Sequence, residues 1–141
     1  MKNLKNKPQR HRGTEERLFH NKDCTERIIA AAIEVHRHLG PGLLESAYEE
    51  CLCHELYIQG IPFERQKALP LEYKRISLDC GYRMDLVVDN KVVIELKCVE
   101  NILPVHEAQL LTYLKLSGIK VGLIINFYSN LLKNGIKRLV L

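Results

Sequence analysis

Apolar residues recur at helical intervals after position 27: Ile28, Ile29, Ala32, Ile33 and Val35 fall three and four apart up to Gly40. Asp23, with Glu26 three residues on, supplies a capping pattern at the start of this first helix, and Gly40-Pro41-Gly42 breaks it. A second helix is predicted over 43–59, with Leu44, Ala47, Leu52, Leu56 and Tyr57 available to a core and Gly60 as its stop. The period then changes. Residues 63–67 and 69–74 read as extended segments around Pro70, which implies an edge strand or a bulge because proline cannot donate to a ladder. Residues 82–88 and 91–99 are stronger strands, and Asp89-Asn90 between them is turn chemistry, so they form a hairpin. Pro104 opens a helix to Leu116, closed by Gly118. The strand 120–127 follows, its continuous Val-Gly-Leu-Ile-Ile run implying burial on both faces, and 136–140 adds a last short strand.

After the first helix the order is helix, strand, strand, strand, helix, strand, which predicts a mixed α/β sheet flanked by helices. At 141 residues and 46% hydrophobic content the chain suits one domain with one core. Charge divides it unevenly. Residues 1–22 hold seven Lys or Arg against two Glu, and removing that +5 from the net +4 leaves −1 for the rest. The expectation is a basic, solvated arm over 1–22 ahead of a single domain over 23–141; such an arm would add salt-dependent phosphate contacts without sequence specificity. No apolar run approaches the ~20 residues that cross a bilayer, and the basic start lacks the apolar centre of a secretory signal. A cytoplasmic protein without a membrane partner is therefore expected. The five cysteines are odd in number and lack C-x2-C spacing, which argues for reduced thiols rather than a zinc site. No Gly-rich phosphate loop of the Walker or Rossmann kind is present.

The chemistry concentrates in the central hairpin. Glu95 and Lys97 share a face of their strand, because side chains alternate with a period of two, and the flanking Val93 and Val99 on that face argue for partial burial. Buried charges are costly unless paired or bound to a metal. Asp85 sits among apolar residues in the partner strand, and register decides whether it meets Glu95. A two-residue turn at Asp89-Asn90 would set Asp85 opposite Ile94 and put the carboxylates on opposite faces. A three-residue loop, or an equivalent bulge, makes 85 and 95 symmetric about Asn90, which tolerates the left-handed region. That odd loop is predicted. On the second helix Glu45 and Tyr48 share a face just after Gly42, and on the later helix His106, Gln109 and Tyr113 form a polar stripe distinct from Ala108, Leu111 and Leu114.

Asp85, with nine residues between it and Glu95-x-Lys97 in a hydrophobic strand, resembles the site of the PD-(D/E)XK phosphodiesterase superfamily of restriction enzymes and junction resolvases. The restriction-endonuclease-like core of that superfamily (helix, three-stranded antiparallel meander, helix, further strand) matches 43–127 in order. Gly42-Leu-Leu-Glu45-Ser-Ala-Tyr48 looks like the signature of the GxxExxY family within it, and the resemblance continues through Gln109-Leu-Leu-Thr-Tyr113-Leu and Gly122-Leu-Ile-Ile-Asn-Phe127.

The resemblance implies a Mg2+-dependent nuclease, with Mn2+ as a substitute ion, acting on nucleic acid and on DNA ahead of RNA. Asp85 and Glu95 would supply hard oxygen ligands, Glu45 would contribute directly or through water, and the Leu96 carbonyl would complete the set. Lys97 would orient the attacking water or offset phosphate charge. Gln109 and Tyr113 would border the site and hold substrate or water, with Tyr48 beside them and Arg83 as a phosphate contact. The competing readings are a nucleic-acid-binding module with weak or no turnover, and a protein-interaction module of the same fold. The apolar C-terminus, 136–141, and the edge at Pro70 permit a homodimer without requiring one.

Overall fold

The computed structural model describes residues 24–141; Asp23 and the basic segment 1–22, read above as a helix cap and an arm, lie outside the described residues. Helix α1 (Thr25–Leu39) buries Ile28, Ala31, Ala32, Val35 and His36 along one face. Cys24 precedes it in a left-handed conformation without a side-chain cap, and Gly40, at φ 68, ends it with its N–H on the His36 carbonyl at 2.8 Å. Helix α2 (Glu45–Ile58) turns Tyr48, Leu52, Cys53 and Leu56 inward. Two residues expected in its core face solvent instead: Leu44 is 76% and Tyr57 75% exposed. Leu44 stands before the first turn in extended backbone, and Tyr57 lies one residue off the Tyr48, Leu52, Leu56 stripe.

The strands are β1 (Phe63–Ala68), β2 (Leu71–Tyr73), β3 (Ile76–Leu78), β4 (Arg83–Val88), β5 (Val92–Lys97), β6 (Val121–Asn126) and β7 (Ile136–Val140), with helix α3 (Pro104–Ser117) between β5 and β6. Five of them form one mixed sheet in the order β1-β4-β5-β6-β7, in which only β5 and β6 run parallel, joined through α3. The expected core order of helix, antiparallel meander, helix and strand is thus present as α2, β1-β4-β5, α3 and β6. Beyond that expectation, β2 and β3 form a separate two-stranded hairpin between β1 and β4. Pro70 lies in the connection from β1 to β2 rather than inside a strand.

Both sheet faces are covered, which is why β6 reads as a continuous apolar run and β5 is apolar through Val92, Val93 and Ile94. Leu86, Val88, Val92, Ile94, Leu96, Leu123 and Ile125 pack toward α1 and α2. Val87, Val93 and Ile124 pack toward Leu110, Tyr113 and Leu114 of α3. The inward face of α3 is therefore not the Ala108, Leu111, Leu114 stripe of the sequence reading, and Leu111 is exposed. Gly122 lets α3 sit directly on β6, since a Cβ there would lie 2.9 Å from both Leu110 methyls. Among the described residues no helix is long and apolar enough to cross a membrane.

The register of the central hairpin is the one on which the site depends. Asp89 and Asn90 adopt φ 54 and 55, and the Lys91 N–H closes on the Val88 carbonyl at 2.9 Å. The next ladder pairs are nonetheless Val88 with Val92, Val87 with Val93 and Leu86 with Ile94. Lys91 is the extra residue, a bulge beside a tight turn, and it restores symmetry about Asn90.

Candidate functional site

Beyond the Leu86–Ile94 pair the two strands of the hairpin open, and Asp85 and Glu95 occupy the opening. Side-chain alternation along β4 switches here: Leu86 and Val88 pack toward α1 and α2, whereas Met84 packs toward α3. On the other side of Asp85, Gln66 of β1 falls at the position where the otherwise uniform β1–β4 pairing is interrupted, with φ 47. The Asp85 N–H donates to Glu95 Oε2 at 3.3 Å, and the Leu96 N–H donates to Asp85 Oδ2 at 2.9 Å. Two carboxylates from adjacent strands are thereby held together, as the odd loop requires.

Their environment disfavours two bare negative charges. Glu95 is 6% exposed; burial first, then the charge of Asp85, pushes its carboxyl up to about 8. Asp85 is half-buried and is raised chiefly by burial, with Glu49 and Glu45 adding repulsion against the opposing hydrogen bond from Leu96. Lys97, two residues along β5, favours the ionised form of Glu95 electrostatically. Among the described residues no carboxylate lies within 4 Å of its ammonium. This acidic pair therefore awaits a proton or a cation.

Helix α2 reaches the same opening. Glu45, exposed in its first turn, accepts the Cys98 N–H at 3.3 Å just past Lys97. One turn later Glu49 accepts Gln66 Nε2 at 2.9 Å on one oxygen and Arg65 Nε and Nη2 at 3.2 and 3.0 Å on the other. The same Gln66 nitrogen stands 3.5 Å from Asp85 Oδ1. Sequence reasoning missed both Glu49 and Gln66. Glu49 carried a signal, because it follows Glu45 by four and shares its helix face. Gln66 carried none, since only the β1–β4 register brings it to Asp85.

Tyr113 lies with the carboxylates: burial, then Glu95 and Asp85, raise its hydroxyl above the ordinary tyrosine range, and its ring meets Tyr82 edge-on at 6.4 Å. Gln109 is exposed one turn earlier on α3, without a hydrogen bond to the carboxylates. Arg83 is exposed two residues before Asp85, where it donates to the Tyr82 carbonyl at 3.3 Å. His106 serves α3 itself, its Nδ1 accepting the Leu103 N–H at 2.9 Å. Tyr48 corrects the sequence reading most clearly. It is wholly buried, stacked on Phe127 at 4.4 Å, and its hydroxyl donates to the Gly40 carbonyl and accepts the Leu43 N–H. Its place is in the turn that feeds α2, not beside a substrate.

Among the described residues no three Asp, Glu, His or Cys side chains converge as a metal cage. The donor set nevertheless fits a hard cation such as Mg2+, which takes one or two carboxylates and keeps several waters. The Leu96 carbonyl would add a third oxygen, because the N–H and C=O of one strand residue leave on the same side and its N–H points at Asp85.

A family model described as the PD-(D/E)XK nuclease superfamily matches residues 22–139. Searches of the curated proteins and of the solved structures return no match.

Proposed function

Because this chain belongs to the PD-(D/E)XK nuclease superfamily, we propose that it is a Mg2+-dependent nuclease that hydrolyses phosphodiester bonds, in DNA ahead of RNA. The observation that carries the reading is the Asp85–Glu95 pair, Glu95 buried and Asp85 half-buried, mutually repelling and joined through backbone N–H groups. Gly42, Glu45 and Tyr48 in their spacing support placement in the GxxExxY group of the superfamily.

Asp85, Glu95 and the Leu96 carbonyl are the groups that would hold the ion, with Glu45 joining directly or through water. Bound there, Mg2+, or Mn2+ in its place, would acidify a water molecule and polarise the scissile phosphate. Lys97 orients that water or offsets the phosphate charge from the same strand face. Tyr113 and Gln109 hold substrate by hydrogen bonds from α3, and Arg83 meets a neighbouring phosphate. Gln66, itself held by Glu49, fixes Asp85 from behind.

Cleavage of labelled DNA and RNA by purified protein, with Mg2+ or with chelator, tests the reading. The expected result is Mg2+-dependent hydrolysis that Asp85→Asn and Lys97→Ala each reduce by about 100-fold or more. Binding without cleavage on any substrate would instead identify a binding module, and full activity in both variants would remove the site from the reaction.

A further inference from the structure

No residue of the β2–β3 hairpin strands belongs to the buried core. These strands pair only with each other, three residues on each side, and isolated two-stranded ribbons are marginal in water. One face carries the cross-strand pairs Leu71–Leu78 and Tyr73–Ile76, and the other carries Glu72–Ser77. Tyr73, Ile76 and Leu78 are 59, 56 and 39% exposed. At the tip Lys74 and Arg75 form the tight turn, with φ 45 and 74, and the Lys74 ammonium lies 5.4 Å from the centre of the Tyr73 ring. Three residues per strand place this tip about 10 Å beyond the foot. The foot is clamped by the Leu69 N–H on the Tyr82 carbonyl at 3.0 Å, immediately before Arg83. There Tyr82, 45% exposed, touches Tyr113.

We propose that this hairpin is an arm that grips the nucleic-acid strand leading into the Asp85–Glu95 opening, with Lys74 and Arg75 on phosphates and Tyr73 and Tyr82 against bases. The inference rests on the nuclease reading of that opening. Charge complementarity selects the occupant. On β1, Arg65 is paired with Glu49 and Glu50, and Lys67 with Glu64. Among the described residues Lys74, Arg75, Arg83 and Lys97 have no carboxylate within 4 Å, so unpaired cations run from tip to foot to site. The acidic neighbours do not cancel them: Glu72 points to the opposite face, and Asp79 accepts the Gly81 N–H at 3.1 Å. A second copy fits less well, because a two-fold pairing of hairpins would set basic tips against basic tips or against Arg83. Exposed tyrosines beside free cations are what base stacking along a phosphate track uses.

The test is fluorescence anisotropy with a labelled single-stranded DNA and its duplex, titrated with the full chain in chelator so that no strand is cut. Lys74→Asn with Arg75→Gly removes both charges yet supplies the Asn-Gly pair that a tight hairpin turn prefers, so folding is preserved. Affinity is expected to fall about 10-fold at low salt, and the slope of log affinity against log salt to shrink by about 2. Tyr73→Ala is expected to weaken binding with the slope unchanged. Wild-type affinity in the double variant overturns the inference, as does unchanged binding with an altered mass by light scattering, which would make the hairpin an interface between copies. If the wild type cleaves and the double variant binds normally, only the arm fails. Hairpin-dependent binding without cleavage sinks only hydrolysis, and a chain that binds no nucleic acid sinks both.

Discussion

Gln66 and Asp85 face each other across the β1–β4 ladder, and the Gln66 carboxamide nitrogen reaches both Asp85 Oδ1, at 3.5 Å, and Glu49 Oε1, at 2.9 Å. Its backbone is left-handed in the middle of a strand, at φ 47. For a residue with a Cβ that conformation costs roughly 1–2 kcal/mol, and such strain collects at functional sites. Gln66→Gly relieves the strain and deletes the donor. Thermal melting is expected to hold or rise, offset in part by the flexibility of glycine in the unfolded chain, while calorimetric Mn2+ titration shows weaker binding. Lower stability with unchanged Mn2+ affinity would make Gln66 a purely structural residue.

The raised Glu95 carboxyl has a consequence for stability. Its folded pKa, about 8, lies above the ordinary glutamate value because of burial and then Asp85. The native state therefore binds more protons than the unfolded chain between those two values, and stability falls as pH rises through that window. Protein freed of divalent ions should lose stability from about pH 5 to about pH 8, on the order of a few kcal/mol. Glu95→Gln should flatten the dependence, as should saturating Mg2+. Denaturant melts across that range decide the matter, and a flat wild-type profile would contradict the assigned environment.

The buried hydroxyl of Tyr48 joins the Gly40 carbonyl to the Leu43 N–H. Tyr48→Phe leaves both groups short of a partner, at a cost of about 1–3 kcal/mol. Melting should drop accordingly, while KM for any cleaved substrate, measured well below the melting point, stays at the wild-type value. A raised KM in fully folded protein would return Tyr48 to the substrate.

Much of this was legible along the chain because local patterns and tertiary packing agree. The β6 run read as a doubly buried strand and is, and Pro104 and Gly118 bracket α3 as their backbone preferences dictate. Asp85 meeting Glu95 was legible only as a condition on register, which the three-residue loop Asp89-Asn90-Lys91 satisfies, with Lys91 as its bulge. The β2–β3 hairpin was not legible, since its turn is Lys74-Arg75 rather than Asn-Gly and its short strands bury little. Leu44 and Tyr57 misled because hydrophobicity alone does not fix which way a helix is rotated. Gln66 depends on a pairing between segments far apart in sequence, which no local pattern announces.

The central claim is that Asp85 and Glu95 form a divalent-cation site, and anomalous diffraction from crystals soaked in Mn2+ tests it most directly. A peak is expected within about 2.0–2.2 Å of an oxygen from each carboxylate and beside the Leu96 carbonyl, absent from Asp85→Asn crystals. A well-ordered opening without a peak at saturating Mn2+, or a peak elsewhere that survives Asp85→Asn, would contradict it.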